Sequence, residues 1–228
     1  MRSKKKVIII YGPPGAGKGT QALKLENILN FYHFDTGREV EKIVHSSKSQ
    51  KDPKIREQRK LFDSGKLCDP KWVADLVKKI VKKLAKKNKG IIFSGSPRSL
   101  FEAEELIPLL IKLYGKRNIY VVKLNVAKET SIFRNTHRKL CSKCGYPVIY
   151  SQETKNWKFC PLCGAKLFVR VLDNPETIKI RIKEYQKRTK PVLEYLKKQK
   201  IKIYEINGEP LPSLVTKEIL EKTNLKKL

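Results

Sequence analysis

An apolar run, Val7-Ile8-Ile9-Ile10-Tyr11, ends at Gly12 and leads at once into Pro13-Pro14-Gly15-Ala16-Gly17-Lys18-Gly19-Thr20. No other stretch restricts the fold as strongly. A short apolar run closed by glycine reads as a strand buried on both faces of a parallel sheet. The segment from about Gly17 to Leu29 reads as a helix. Strand, glycine loop and helix in that order let successive backbone N–H groups converge on an anion, and the helix N-terminus adds its positive end. Gly12, Gly15, Ala16, Gly17, Lys18, Gly19 and Thr20 are therefore expected to contact a nucleoside triphosphate. Lys18 would bridge the terminal phosphates and a hydroxyl would meet Mg²⁺. The general pattern has Ser or Thr directly after the lysine, whereas here Gly19 intervenes before Thr20. The alternative, a glycine-rich turn with a chance lysine, conflicts with the flanking strand and helix. Alone, the loop implies only that a nucleoside triphosphate binds.

Further apolar runs at Ile91–Phe93, Ile119–Leu124 and Ile201–Ile206 read as strands, with a short one at Phe31–Phe34. Helical periods lie between them at about 37–47, 53–63, 70–88, 99–113 and 127–139. A long helix is expected from Pro175 to Gln199 and a last one at about 213–223. Alternating strands and helices predict an α/β fold with a parallel sheet. Residues 141–172 break the pattern: they carry two cysteine pairs, Tyr146, Tyr150, Trp157 and Phe168, and no helical period. They read as a small inserted unit whose aromatics pack its interior.

Cys141-x2-Cys144 and Cys160-x2-Cys163 are separated by fifteen residues, the spacing of a four-cysteine structural zinc site. With all four positions filled by protein, such a metal holds a fold and leaves no place for substrate; redox-active pairs are the other reading. Cys68 stands alone and is expected to be a small core residue. The odd cysteine total of 5 fits a reducing compartment. No segment approaches the roughly 18 apolar residues of a membrane span, and the run after the basic start is too short for a signal peptide; a cytoplasmic protein without a membrane partner is expected. Lys plus Arg number 51 against 22 Asp plus Glu, a formal charge of +29, which favours polyanionic partners. Many of these lysines form a solvated coat, as Lys78, Lys79, Lys82, Lys83, Lys86 and Lys87 would opposite Val73, Leu76, Val77, Ile80, Val81 and Leu84.

These features, with several further segments, resemble the adenylate kinase family, in its zinc-containing lid type, over about residues 7 to 207. The loop Gly12 to Thr20 looks like its GxPGAGKGT signature, and His33-Phe34-Asp35-Thr36-Gly37-Arg38 is similar to its xxSTGD segment. Phe62-Asp63-Ser64-Gly65-Lys66-Leu67 and Gly95-Ser96-Pro97-Arg98-Ser99 have counterparts as well, the second in GFPRT. Arg134 and Arg138 fit two arginines leading into the lid; Arg170, Asp173 and Arg181 fit the RxDD…R segment after it.

The resemblance implies a P-loop three-layer sandwich. Its core would be 1–35, 69–138 and 173–228, with a helical monophosphate-binding insertion at 36–68 and a zinc lid at 139–172. It implies a monomer that transfers a phosphoryl group from MgATP to AMP, giving two ADP. Lys18, Arg134, Arg138, Arg170 and Arg181 would embrace the transferring group, Arg98 would hold the monophosphate, and Asp173 would orient arginines. Arg134 and Arg138 would also contact ATP; Thr36, Gly37, Arg38, Leu67, Cys68, Gly95, Arg98 and Glu102 would form the monophosphate pocket. Converging cations agree with the physics, since phosphoryl transfer depends on positioning and charge stabilisation.

The chain also departs from the family. Glu41 stands where a monophosphate-binding arginine is usual, with Arg38 at the usual aspartate position as a stand-in. Ser94 replaces an aspartate that orders water around Mg²⁺, and Asn125 and Leu172 replace others. Glu102 falls at the position of a glutamine that reads the adenine edge. A carboxylate only accepts, which suits the two donors of guanine; alternatively Glu102 turns to solvent and backbone carbonyls near Leu67 and Cys68 read the base. GMP or a pyrimidine monophosphate is thus the alternative acceptor. From another class comes a nucleic-acid-binding zinc-ribbon protein on a nucleotide fold, although scattered lysines imply only weak, salt-sensitive binding.

Overall fold

The computed structural model describes residues 5–47, 51–169 and 173–225. Eight strands occur among them: β1 (Val7–Tyr11), β2 (Tyr32–Phe34), β3 (Ile91–Phe93), β4 (Ile119–Asn125), β5 (Lys139–Cys141), β6 (Pro147–Val148), β7 (Leu167–Phe168) and β8 (Ile203–Asn207). Five form a parallel sheet in the order β2-β3-β1-β4-β8, and the other three a small sheet in the order β6-β5-β7. The small sheet is antiparallel.

The side chains of β1 divide by parity between two layers. Val7, Ile9 and Tyr11 join Ile91, Phe93 and Val121 under α4 (Pro70–Lys86), α5 (Leu100–Tyr114) and α8 (Lys190–Lys198). Ile8 and Ile10 join Ile92, Val122 and Leu124 under α1 (Lys18–Leu29) and α9 (Pro212–Thr223). A strand covered on both faces must be apolar at every position, which is why β1 shows no alternation. Each fully buried aliphatic side chain here contributes roughly 1.5–3 kcal/mol. The result is the expected three-layer α/β sandwich, with the loop after β1 at the C-terminal edge of the sheet.

Two helices, α2 (Thr36–Val44) and α3 (Pro53–Asp63), follow β2 and precede α4. Asp35, Asp52 and Asp69 cap α2, α3 and α4, each accepting a hydrogen bond from an N–H of the first turn. The lysine face of α4 is as expected: Lys79, Lys82, Lys83, Lys86 and Lys87 are exposed, while Lys78 pairs with Asp75 and Glu105. Between β4 and β5 the helix α6 (Lys128–Thr136) ends sooner than its period suggested, because the chain turns into β5 at Lys139.

The long helix expected from Pro175 to Gln199 is interrupted. It comprises α7 (Pro175–Glu184), one π-helical turn over Tyr185–Thr189, and α8. Pro191 explains the break: it has no N–H to donate four residues back, and its ring crowds that carbonyl. The wider turn instead lets Lys190 N–H reach the Tyr185 carbonyl.

The aromatics of the small unit depart from expectation. Among the described residues only Cys141, Val148 and Cys160 are buried there, whereas Trp157, Phe159 and Phe168 are 39%, 58% and 46% exposed. The unit is too small to enclose rings, and its centre is occupied by sulfur.

Candidate active site

A cavity of about 840 Å³ opens at the C-terminal edge of the parallel sheet. The glycine loop, α2, the π turn, the β8–α9 loop and the small antiparallel unit all border it. Gly12, Gly15, Ala16, Gly17, Lys18, Gly19 and Thr20 line it together. Glycine is required at two of these places. At Gly15, with φ +78°, a Cβ would lie 2.5 Å from the Ser131 carbonyl oxygen; at Gly12, with φ +151°, it would lie 2.9 Å from the Leu124 oxygen. Gly17 heads α1 without a side-chain cap, so no side-chain acceptor occupies its first N–H groups.

Lys18 lies half-buried along the cavity wall, and its Nζ donates to the carbonyls of Gly12 and Pro13 at 2.8 Å each. Burial lowers its pKa well below the ordinary lysine value, and the cations Arg98, Arg181 and Arg138 lower it further. These arginines come from three separate segments, so the fold concentrates positive charge around one ammonium. Asp173 fixes two of them. Its carboxylate, fully enclosed, accepts from Arg138 Nε at 3.0 Å and Nη2 at 2.7 Å, and from Arg181 Nη1 at 3.2 Å. A bidentate, buried pair of this kind sets guanidinium orientation.

Arg134 faces elsewhere. It donates to the carbonyls of Gly208 and Glu209 at 2.7 and 2.8 Å, on the β8–α9 side of the cavity. Arg170 and Leu172 lie outside the described residues. Asn125 donates to Glu205 at the end of β4.

On the α2 side, Gly37, Arg38, Leu67, Gly95 and Arg98 line the cavity, together with Glu41. Arg98 Nη2 lies 2.9 Å from where a Gly95 Cβ would stand, so Gly95 makes room for the guanidinium. Thr36 and Cys68 sit behind this surface. Thr36 Oγ1 donates to Ser96 Oγ at 3.0 Å, and the Cys68 thiol, pushed up to about 11 by burial, donates to the Gln58 carbonyl. Arg38 reaches across to the small unit and donates to the Cys144 carbonyl at 3.3 Å.

Glu102 takes neither of its expected places. It is 2% exposed, does not face solvent, and is not among the residues lining the cavity. Its carboxylate accepts from Ser99 Oγ at 3.0 Å, Arg98 N at 3.1 Å and Ser96 Oγ at 3.3 Å, while its own N–H donates back to Ser99 Oγ. This is a reciprocal cap on α5, and Ser99-x-x-Glu102 was its legible signature. Burial raises the carboxyl's pKa. Glu102→Gln gives up charged hydrogen bonds but relieves a buried charge, so a net loss of about 1 kcal/mol, or roughly 2–4 °C in Tm, is expected without a change of base preference. Thermal melting and a comparison of acceptors check this; an altered preference at unchanged Tm would return Glu102 to the base pocket.

The four sulfurs of Cys141, Cys144, Cys160 and Cys163 lie within 4.8 Å of one another. Each pair carries the same turn: Gly145 N–H meets the Cys141 carbonyl and Gly164 N–H the Cys160 carbonyl, at φ +73° and +69°. Further contacts near the cavity join residues that spacing along the chain does not connect. His33 Nε2 and Ser94 Oγ are 2.8 Å apart, and burial lowers the His33 pKa. Phe133, His137 and Tyr150 form a ring cluster, with Phe133–His137 centroids at 4.3 Å. The Tyr11 hydroxyl is buried without a hydrogen-bond partner among the described residues.

Residues 10–201 match the family model for adenylate kinase. The chain is 34% identical to an adenylate kinase of Thermosipho africanus over 215 residues, 93% of this chain and 97% of that protein. It is 35% identical over 198 residues to one of Thermotoga maritima, covering 85% and 86% of the two chains. One of Archaeoglobus fulgidus is 33% identical over 214 residues, covering 93% and 95%. The glycine loop, the cations it gathers and the length of these matches agree: the chain belongs to the adenylate kinase family and is a nucleoside monophosphate kinase.

Proposed function

We propose that the chain catalyses reversible phosphoryl transfer from MgATP to AMP, giving two ADP. The observation that carries this is that Arg98, Arg138 and Arg181 line one cavity with the half-buried Lys18 and act on its charge. Two nucleotides meeting in line bring several negative charges, and fixed cations stabilise the migrating group without reorganising. Lys18 would serve the β- and γ-phosphates, with N–H groups of Gly15 to Thr20 cradling them. Arg138 and Arg181, held by Asp173, would face the group in transfer; Arg170 joins them by resemblance. Arg98 would hold the monophosphate, with Thr36, Gly37, Arg38, Leu67, Cys68 and Gly95 shaping its pocket. Arg134 would reach ATP from the β8–α9 side. Mg²⁺, arriving with ATP, supplies charge neutralisation on the phosphates.

In this reading residues 36–68 form a monophosphate clamp and 139–172 a lid, on a core of 1–35, 69–138 and 173–228. Closure of both would exclude water that otherwise hydrolyses ATP. A structural Zn²⁺ would sit among the four sulfurs. A tetrahedron with Zn–S bonds of about 2.3 Å needs sulfurs roughly 3.8 Å apart, and separations of 3.4, 3.6 and 3.7 Å are near that value. Among the described residues no helix is long and apolar enough to cross a membrane.

AMP is preferred because the similar proteins are adenylate kinases and because Glu102, the residue that suggested guanine, is committed to capping α5. Coupled ADP production with AMP, GMP, CMP and UMP tests the acceptor. AMP is expected to exceed the others in kcat/KM by about 10²-fold, the scale of one buried polar group left unpaired against the wrong base. A better rate with GMP or a pyrimidine monophosphate would replace AMP as the substrate.

A further inference from the structure

In a phosphate-loop enzyme, an acidic residue at the end of a strand beside the loop helps hold the divalent ion on the phosphates. β3 pairs directly with β1, and the residue that ends it is Ser94, which carries no charge. The neighbouring strand supplies what Ser94 lacks. β2 pairs in parallel with β3 in the register Phe34↔Phe93, so Asp35 leaves β2 at the level at which Ser94 leaves β3. The Ser94 N–H donates to the Phe34 carbonyl at 3.3 Å and keeps the two strand ends together.

Both residues line the same cavity as Lys18 and Thr20. Among the other carboxylates there, Glu26 accepts from His33 N, Glu39 from Lys42 Nζ, Glu184 from Leu67 N and Glu209 from Ala127 N, while Glu41 belongs to the body of α2. Asp35 uses Oδ1 to cap α2, accepting from Arg38 N at 3.2 Å, and no hydrogen bond is made by its Oδ2 among the described residues. Its negative charge also acts on Lys18, opposing Arg98, Arg181 and Arg138. A hydroxyl from Thr20, a carboxylate from Asp35 and a second hydroxyl from Ser94 are the hard oxygen donors that Mg²⁺ prefers, directly or through its retained waters.

We infer that Asp35 is the metal-facing carboxylate of this enzyme, relocated by one strand from the position that Ser94 occupies. The inference deepens the phosphoryl-transfer reading above and rests on it. Ser94, paired with His33, then completes a polar wall instead of carrying the charge.

Mn²⁺ is the probe, its free fraction read by electron paramagnetic resonance with the full chain and a non-hydrolysable ATP analogue. Asp35→Asn keeps the cap on α2, because Asn caps as well as Asp, and is expected to weaken Mn²⁺ in the ternary complex by about ten-fold while metal-free binding of the analogue stays within roughly two-fold. The double exchange Asp35→Ser with Ser94→Asp moves the carboxylate back to β3 and should restore most of the Mn²⁺ affinity. Unchanged Mn²⁺ affinity in Asp35→Asn overturns the inference. So does an equal fall in metal-free binding, which would make Asp35 a structural cap alone. Failure of the unmodified protein to bind the analogue at all overturns the phosphoryl-transfer reading itself, and this is seen before any variant is compared.

Discussion

Lys18→Ala is expected to lower turnover by roughly 10³-fold or more, the scale of removing a preorganised cation from a developing phosphoryl charge. The same substitution should not weaken the fold. The Lys18 pKa lies well below 10.5 because burial and three arginines disfavour its charged form. The folded protein therefore holds that proton less tightly than the unfolded chain. The sign follows from linkage: between the folded and unfolded values the unfolded chain binds more protons, so stability rises with pH through that window, and below it the disfavoured ammonium is a net cost to folding. Alanine removes that cost, and a Tm equal to or above that of the unmodified protein is expected by calorimetry. Phosphate reverses the situation by favouring the ammonium. Nucleotide binding should therefore take up protons at alkaline pH, and kcat/KM should fall there with a midpoint below 10.5. Turnover within ten-fold of the unmodified protein would remove Lys18 from the chemistry. A lower Tm would mean that its bonds to Gly12 and Pro13 outweigh the burial of its charge.

Most of the frame was readable from residues alone, for local reasons. Val7–Tyr11 and Ile91–Phe93 are apolar at every position, and a doubly covered parallel strand requires that. Asp52-Pro53 and Asp69-Pro70 join a cap to a preset first turn, so α3 and α4 begin where expected. Failures arose where distant contacts decide. Whether Glu102 meets a base or caps α5 depends on where Ser96 and the Arg98 N–H lie, and the Ser99-x-x-Glu102 spacing was the available signal. The π turn before Pro191 brings Thr189 to the Arg98 carbonyl at 2.8 Å, a contact across 91 positions that helical periodicity does not register. Arg134 does line the same cavity as Arg138, and what spacing does not register is that the β8–α9 loop holds its guanidinium at Gly208 and Glu209. Asp35 and Ser94 are far apart in sequence, and only the β2–β3 register makes them neighbours.

Removing the metal from the four-cysteine unit should unfold that unit while leaving the parallel sheet intact. The unit has little else to hold it. Among its described residues the buried side chains are Cys141, Val148 and Cys160, and most of its large side chains, Trp157, Phe159, Leu162 and Phe168 among them, face outward. A structural zinc supplies on the order of 10 kcal/mol to such a site, far more than one buried valine. The turns are built for thiolates: Cys144 N–H points at Cys141 Sγ and Leu162 N–H at Cys160 Sγ, both at 3.4 Å. Metal analysis of purified protein should therefore find about one zinc per chain. Cys160→Ser, or chelation, should open the unit to protease at Lys155, Lys158 or Lys166 before the core melts. The consequence extends to the cavity. Arg38 on α2 holds the Cys144 carbonyl, and a Cβ on Gly145 would meet its Nη1 at 2.6 Å, so the Cys141–Gly145 turn and α2 are fitted to each other. Loss of zinc should then raise KM for the monophosphate as well as for ATP, an effect that a lid acting on ATP alone would not give. Protein that purifies without zinc, keeps its kinetic constants and resists protease in the unit would show that sulfur packing by itself is enough.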